Sequence, residues 1–146
     1  MKIDFNEKVT AFHRAFSDEN KCLKLLADLK WEQGFVCRKC GHTNYCKGKS
    51  PYSRRCTRCK AEESVTAHTV FHHCKIPMNK ALEIAFLICI KPDISSYEIS
   101  KRIDLRHMTC YSFQKKIINC RDSSINNKLL KKVIASLNST VNATLN

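Results

Sequence analysis

Apolar residues recur at helical spacing over five stretches of this chain, and the segment between the first two loses that regularity. Across residues 17–29, Cys22, Leu25, Leu26 and Leu29 share one face of a 3.6-residue period. Ser17 stands as the N-cap there, and Asp18 and Glu19 suit the positive end of a helix. Trp31 and Phe35 follow around Gly34, placed to pack this helix against the next segment. Pro77 opens a helix over Met78–Ile90 that is apolar almost all the way round, so it belongs at the centre of the second half's core. Lys91, Pro92 and Asp93 end it. Ser95 as N-cap, with Glu98 three residues on, makes a capping box for a helix over 95–103. A break at Asp104, Leu105 and Arg106 leads into a helix over 107–121 with Cys110, Phe113 and Ile117 inward. A last helix over 124–137 carries Ile125, Leu129, Val133 and Leu137, and the Asn/Ser/Thr-rich end, 138–146, is expected to fray.

From Phe35 to Thr66 the texture is different. Phe35-Val36, Asn44-Tyr45-Cys46, Tyr52-Ser53-Arg54 and Glu63-Ser64-Val65-Thr66 read as brief strands, broken by Gly41, Gly48 and Pro51. Such short strands cannot build a core of ordinary size. Something other than apolar burial has to hold them.

At 146 residues, 43% of them hydrophobic, the chain supports one compact domain or two small ones closely joined. The pattern divides it into an N-terminal helical segment (1–33), a strand-forming segment (34–72), a helical domain (76–121), and a C-terminal helix with its tail (122–146). No apolar stretch resembles a secretory signal at the N-terminus, and the run from Ala81 to Ile90 contains Glu83 and is too short to cross a bilayer. The expectation is a cytoplasmic protein, associated with the nucleoid, that meets no membrane and no small-molecule substrate. In a reducing compartment, ten cysteines point to metal ligation rather than disulfides.

Four of the ten stand in two pairs, Cys37-x-x-Cys40 and Cys56-x-x-Cys59, with fifteen residues between the pairs. Each pair suits a tight knuckle that turns two thiolates to one side, and a hairpin between the knuckles brings the pairs face to face. Four thiolates then close a tetrahedron around one zinc ion and leave no position for water, which makes the site structural. Zinc supplies the folding free energy that the thin ribbon lacks. The bland alternative is two unrelated pairs, or a redox Cys-x-x-Cys. Cys22, Cys46, Cys74, Cys89, Cys110 and Cys120 have no paired spacing and read as small buried residues. His42, His68, His72 and His73 have no supporting carboxylate or cysteine spacing for a second metal site.

Lysine and arginine number 26 against 13 acidic residues, a net charge of +13. A small protein this basic is drawn to polyanions because phosphate contacts release condensed counterions. Charge alone does not specify DNA, since ribosomal and membrane-surface proteins are as basic. Between Cys37 and Lys60, however, Arg38, Lys39, Lys47, Lys49, Arg54, Arg55, Arg58 and Lys60 occur with no acidic residue, and Tyr45 and Tyr52 are interleaved. Arg54, Arg55 and Arg58 are the candidate phosphate contacts here. The second candidate surface is the pair of helices over 95–103 and 107–121, which describes a helix-turn-helix whose second helix enters the major groove. Ser100 is small where the helices would cross, and Asp104 tolerates a left-handed turn. Arg106, His107, Thr109, Ser112, Lys115 and Lys116, with Asn119 beyond them, would face base edges and phosphates. Many helical hairpins never touch DNA, so this pattern alone is only moderately specific.

The run from Trp31 through Cys37-Arg38-Lys39-Cys40-Gly41, then Tyr52 to Cys59, then Ser64 to His72, resembles the N-terminal zinc ribbon of ISXO-like insertion-sequence transposases. The similarity reaches upstream to Phe16-Ser17-Asp18-Glu19 and downstream through Ile76-Pro77 and 94–117, covering about residues 12 to 121. The resemblance implies a zinc ribbon and a helix-turn-helix that recognise the ends of a mobile element, placed before an RNase H-like catalytic domain with a metal-binding acidic triad. Three departures stand out. Arg38 occupies a usual proline, and His68 and Asp104 replace glycines. Only 25 residues follow Arg121, with Asp122 their sole acid, whereas two-metal phosphoryl transfer needs several carboxylates on a sizeable scaffold.

The fold expected is therefore α+β, a small zinc ribbon of short antiparallel strands flanked by an N-terminal helix and a C-terminal helix-turn-helix bundle. The function expected is that of a non-catalytic, transposase-related DNA-binding protein, not an enzyme. It would act alone, with a full-length transposase, or with its own second copy through the last helix. The alternative is a protein- or RNA-binding zinc-ribbon adaptor.

Overall fold

The computed structural model describes residues 4–72, 75–123 and 127–145. Within them the chain forms α1 (Phe5–Phe16), α2 (Glu19–Lys30), β1 (Tyr45–Lys47), β2 (Arg54–Cys56), β3 (Glu62–Glu63), α3 (Met78–Ile90), α4 (Ser96–Ile103), α5 (His107–Asp122) and α6 (Lys128–Leu145). The architecture is α+β, with helices packed on one another and a small antiparallel sheet of order β1-β2-β3.

The first helix has no counterpart in the sequence reading. Its stripe of Val9, Phe12 and Phe16 is buried, with Ala11 beside it, but no side chain caps its start. Its end changes the role of Ser17, which is the C-cap of α1 rather than the N-cap of α2. Asp18 caps α2 instead, its carboxylate accepting from the amide of Asn20 at 3.0 Å. An acid outranks a hydroxyl at that place because it also meets the positive end of the helix.

Helix α3 takes the bounds its pattern predicts, and every residue from Ala81 to Ile88 is buried. Helices α1, α2, α4, α5 and α6 all pack against it. Phe12 of α1 stacks on Phe86 at 5.0 Å between ring centres. Helix α6 departs from the expected frayed end. It stays helical to Leu145 because Val141 continues the buried stripe of Leu130, Val133 and Leu137. That stripe closes on α1, α2, α3 and α5 of the same chain. The expected start of this helix at Ser124 and Ile125 lies outside the described residues.

Ser95 caps α4, its hydroxyl accepting from the Glu98 amide at 3.2 Å, while the Glu98 carboxylate binds Lys91 at 3.0 Å instead of reaching back to complete the box. Asp104 ends α4 in the left-handed conformation, φ 58°. The Ser100 carbonyl accepts from the amides of Asp104 and Leu105, and its hydroxyl donates to the Leu105 carbonyl. A three-residue connection thus turns α4 into α5, and Ile99, Ile103, Cys110, Phe113 and Ile117 are buried along the two helices.

The strands are shorter and fewer than the sequence reading. β1 pairs β2 with Tyr45 opposite Cys56 and Lys47 opposite Arg54, and β2 pairs β3 with Arg54 opposite Glu63. Phe35 forms no strand. It is buried between the rings of Trp31, 6.4 Å away, and Tyr45, 5.5 Å away. Tyr52 sits at φ 60° in the turn between β1 and β2.

The ribbon is fastened to α2 by polar contacts. The Lys30 side chain is only 6% exposed, and its Nζ donates to the carbonyls of Ser64 at 2.8 Å and Ala67 at 2.7 Å. It also pairs with Glu63 at 2.8 Å, while Arg38 meets the other Glu63 oxygen at 3.0 Å. Burial pushes the Lys30 ammonium below its ordinary pKa, and the hydrogen bond and charge of Glu63 oppose that. Beside it, the Arg54 guanidinium lies 4.6 Å from the Trp31 ring centre and 4.1 Å from that of Tyr45.

A buried lysine whose every donor is satisfied is harder to remove than to build, because its loss unpairs one Glu63 oxygen and the carbonyls of Ser64 and Ala67 together. Lys30→Met should lower the stability of the folded protein by about 3 kcal/mol in denaturant titration. A second buried charge works against the fold. Glu83, in the middle of α3, shares a 2.7 Å hydrogen bond with His13 Nε2, and its other oxygen has no hydrogen-bond partner among the described residues. Burial raises its carboxyl above the ordinary 4.5, and His13, Arg102 and Lys80 only partly counter this. A carboxyl raised on folding binds its proton more tightly in the native state, so the stability it contributes is present below 4.5 and lost as pH rises through its native value. Glu83→Gln should therefore be more stable than the native protein at pH 8, with the difference closing below pH 4 when thermal melts are compared.

Candidate metal centre and nucleic-acid face

The two cysteine pairs form two knuckles built alike. In the first, the Cys37 amide donates to the His42 carbonyl and the Gly41 amide to the Cys37 carbonyl, both at 2.8 Å. In the second, the Cys56 amide donates to the Ala61 carbonyl at 2.8 Å and the Lys60 amide to the Cys56 carbonyl at 3.0 Å. Both turns need a left-handed residue at the same place, Gly41 at φ 79° and Lys60 at φ 67°. Pairing of β1 with β2 then carries one knuckle onto the other. Glu62 helps to set that hairpin, its carboxylate accepting from the Lys49 amide and, at 3.2 Å, from the Ser53 hydroxyl. Gly48 lies beneath it, and a Cβ there would displace this carboxylate and the Ser53 hydroxyl.

The four sulfurs lie within 4.8 Å of one another, with Cys37 and Cys59 at 3.5 Å and Cys40 and Cys56 at 3.5 Å. Metal–sulfur bonds of about 2.3 Å in a tetrahedron give sulfur–sulfur edges of about 3.8 Å, so the donor set fits zinc. Cys37 and Cys56 are buried, Cys59 is half-buried, and Cys40 is open to solvent. Desolvation alone would raise the Cys56 thiol. The amides of Cys59 and Arg58, each 3.4 Å from its sulfur, and the thiols of Cys40 and Cys59 outweigh that and bring it to about 6. Those amides favour a thiolate there before any metal arrives. The four cysteines form a zinc site, and with all four ligands from protein its role is to hold the ribbon.

The remaining cysteines mostly follow their expected burial. Cys22 and Cys110 are buried, and Cys89 and Cys120 half-buried. The Cys22 thiol donates to the Phe16 carbonyl at 3.6 Å, and burial, with Asp18 and Glu19, pushes its pKa up to about 12. Cys46 departs from expectation. It is exposed, because β1 is a three-residue edge strand with no layer above it. Cys74 and His73 lie outside the described residues. His68 stands at φ 62°, and its ring stacks on that of His72 at 6.2 Å.

The candidate DNA contacts are arranged unevenly. Arg55 and Arg58 project from the ribbon and are exposed, whereas Arg54 is half-buried between Trp31 and Tyr45, so it holds the ribbon to α2. Arg106 is the N-cap residue of α5 and, with Ser112 and Lys115, is exposed; Thr109 is half-buried. Lys116 is exposed as well, but its Nζ donates to the His72 carbonyl at 2.8 Å and so ties α5 to the segment after the ribbon. His107 is half-buried, its Nε2 2.7 Å from the Ser96 hydroxyl and its ring stacked on Tyr97. The sequence reading did not single out Tyr97, Met108 and Tyr111, all exposed on this face. Large apolar side chains at helical spacing read as core, and only the packing of α4 on α5 shows which of them are left outside.

Purified protein should carry one zinc per chain by elemental analysis. Cys56→Ser should lose it, and with it the dispersed amide signals of residues 37–60, because the remaining three thiolates cannot close the tetrahedron.

Residues 17–62 match the family described as the transposase zinc-ribbon domain. No curated protein and no solved structure matches the chain. The match begins just before α2, spans both knuckles and ends at β3, which is the stretch that Lys30, Arg54 and the four sulfurs bind together. Residues 17–62, helix α2 included, are therefore similar to a transposase zinc-ribbon domain.

Proposed function

We propose that this chain is a non-catalytic, transposase-related DNA-binding protein that reads DNA through α5 while the zinc ribbon grips the adjacent backbone. The observation that carries the reading is the outer face of the α4–α5 pair. A short connection with a left-handed Asp104 sets α5 against α4, and Arg106, Ser112, Lys115 and Lys116 stand on the exposed side of α5. This is the arrangement that places the start of a second helix into a major groove. Cations at its edges meet phosphates, and hydroxyls between them meet base edges. Arg55 and Arg58 extend the positive surface onto the ribbon.

Cutting and joining of strands have no place in this reading. Glu63, Glu98 and Glu32 are engaged with Lys30, Lys91 and Lys132, and the buried Glu83 is bound to the exposed His13. Carboxylates used in this way do not converge on a pair of metal ions. On this reading the protein works at DNA in the cytoplasm, as a regulator or accessory of a mobile element. The adaptor reading draws support from Val36 and Tyr45, two large apolar side chains left exposed on the ribbon.

Association with duplex DNA should weaken steeply with salt. Replacing Arg106 and Lys115 together by alanine should flatten the log–log salt slope by about 0.9 per phosphate no longer neutralised. Binding measured by anisotropy across a salt series checks this. Binding indifferent to salt, or no binding to any duplex from a random pool, sinks the proposal.

A further inference from the structure

Four side chains form a column along the open face of α4 and α5. The rings of Tyr97 and His107 are stacked, with centres 3.9 Å apart and planes 13° apart. Tyr111 lies one turn along α5 from His107, the ring centres 6.4 Å apart. The Lys115 ammonium follows one turn further, 5.6 Å from the Tyr111 ring centre. The column is held in place from below, since Ser96 is hydrogen-bonded to the His107 ring at 2.7 Å.

Holding α4 to α5 does not explain this column. The two helices already share a buried seam of Ile99, Ile103, Cys110, Phe113 and Ile117, whereas Tyr97 is 66% exposed and Tyr111 45% exposed. An aromatic ring left this open adds little burial. Cations border the column, with Lys101 one turn from Tyr97 and Arg106 and Lys115 on α5, all exposed, while Glu98 beside Tyr97 is half-buried and paired with Lys91 and Arg102, and Asp93 precedes α4. Asp104 at the turn is the exposed acid nearest in sequence. A fixed aromatic stack, open on its outer side and bordered by cations, is the chemistry that takes planar bases on a phosphate strand.

We infer that the Tyr97–His107–Tyr111 column is a stacking platform for unpaired nucleobases, so that this face binds single-stranded nucleic acid as well as duplex. The inference rests on α5 being the nucleic-acid face. The bases stack on rings that are already ordered, so little side-chain freedom is lost on binding. Because every base has a flat face, the platform accepts a strand with little regard to its sequence. Lys101 and Lys115 then meet the strand's phosphates on either side.

The test uses the full, zinc-loaded chain and fluorescence anisotropy. The probes are labelled oligothymidylate, labelled oligouridylate, an abasic strand of the same length and charge, and a duplex. The base-bearing strands should bind about tenfold more tightly than the abasic strand. Tyr97→Ala should remove that preference while keeping its zinc, and Tyr97→Phe should retain it. Equal binding of abasic and base-bearing strands by the native protein overturns the inference, as does a full preference in Tyr97→Ala. The duplex arm separates the two readings, since a native protein that binds duplex but ignores bases on single strands loses only the platform.

Discussion

A ribbon of two- and three-residue strands has almost no interior, and four sulfur atoms supply what burial cannot. Cys37, Cys40, Cys56 and Cys59 converge within 4.8 Å, and zinc turns that convergence into a crosslink between two hydrogen-bonded knuckles. The rest of the ribbon's order follows from this constraint. With the knuckles fixed, β2 is held in register with β1 and β3. That register places Arg54 between Trp31 and Tyr45, and Glu63 over Lys30. The metal therefore does more than stiffen a loop. It sets the polar clasp through which the ribbon is attached to α2.

The other half of the molecule is held by ordinary means. Helix α3 is buried all round and serves as the axle on which α1, α2, α4, α5 and α6 pack. Residues from both ends of the chain meet there, because α1 and α6 lie against each other as well as against α3. One zinc crosslink and one apolar axle thus hold a chain whose surface is strongly positive. The face of α5 is left open by this arrangement, since its inner stripe of Cys110, Phe113 and Ile117 is used by the bundle.

Much of this was legible in the sequence, for reasons that differ between segments. Cysteine spacing encodes knuckle geometry locally, so the four ligands could be named without a structure. The apolar run from Met78 to Ile90 and the Ser95–Glu98 box are likewise local signals, and both helices formed as expected. The replaced glycines have a physical reading too: His68 at φ 62° and Asp104 at φ 58° occupy backbone conformations for which glycine is the easiest residue. What escaped was set by distant partners. Helix α1 has a short stripe and no capping side chain, and its place is decided by Phe86 of α3. The tail beyond Asn138 is polar on average, yet Val141 alone carries the stripe forward to Leu145. Lys30, Arg54 and Lys116 look like surface cations in a basic chain; contacts with residues up to 44 positions away give them structural roles.

The ribbon owes its order to the sulfur cluster, while the helical axle stands without it. Amide hydrogen exchange on zinc-loaded and zinc-stripped protein separates the two. Removal of zinc should abolish protection at the knuckle amides of Cys37, Gly41, Cys56 and Lys60, while the amides of Leu82 to Ile88 in α3 stay slow. Knuckle amides that remain protected without zinc would contradict this dependence.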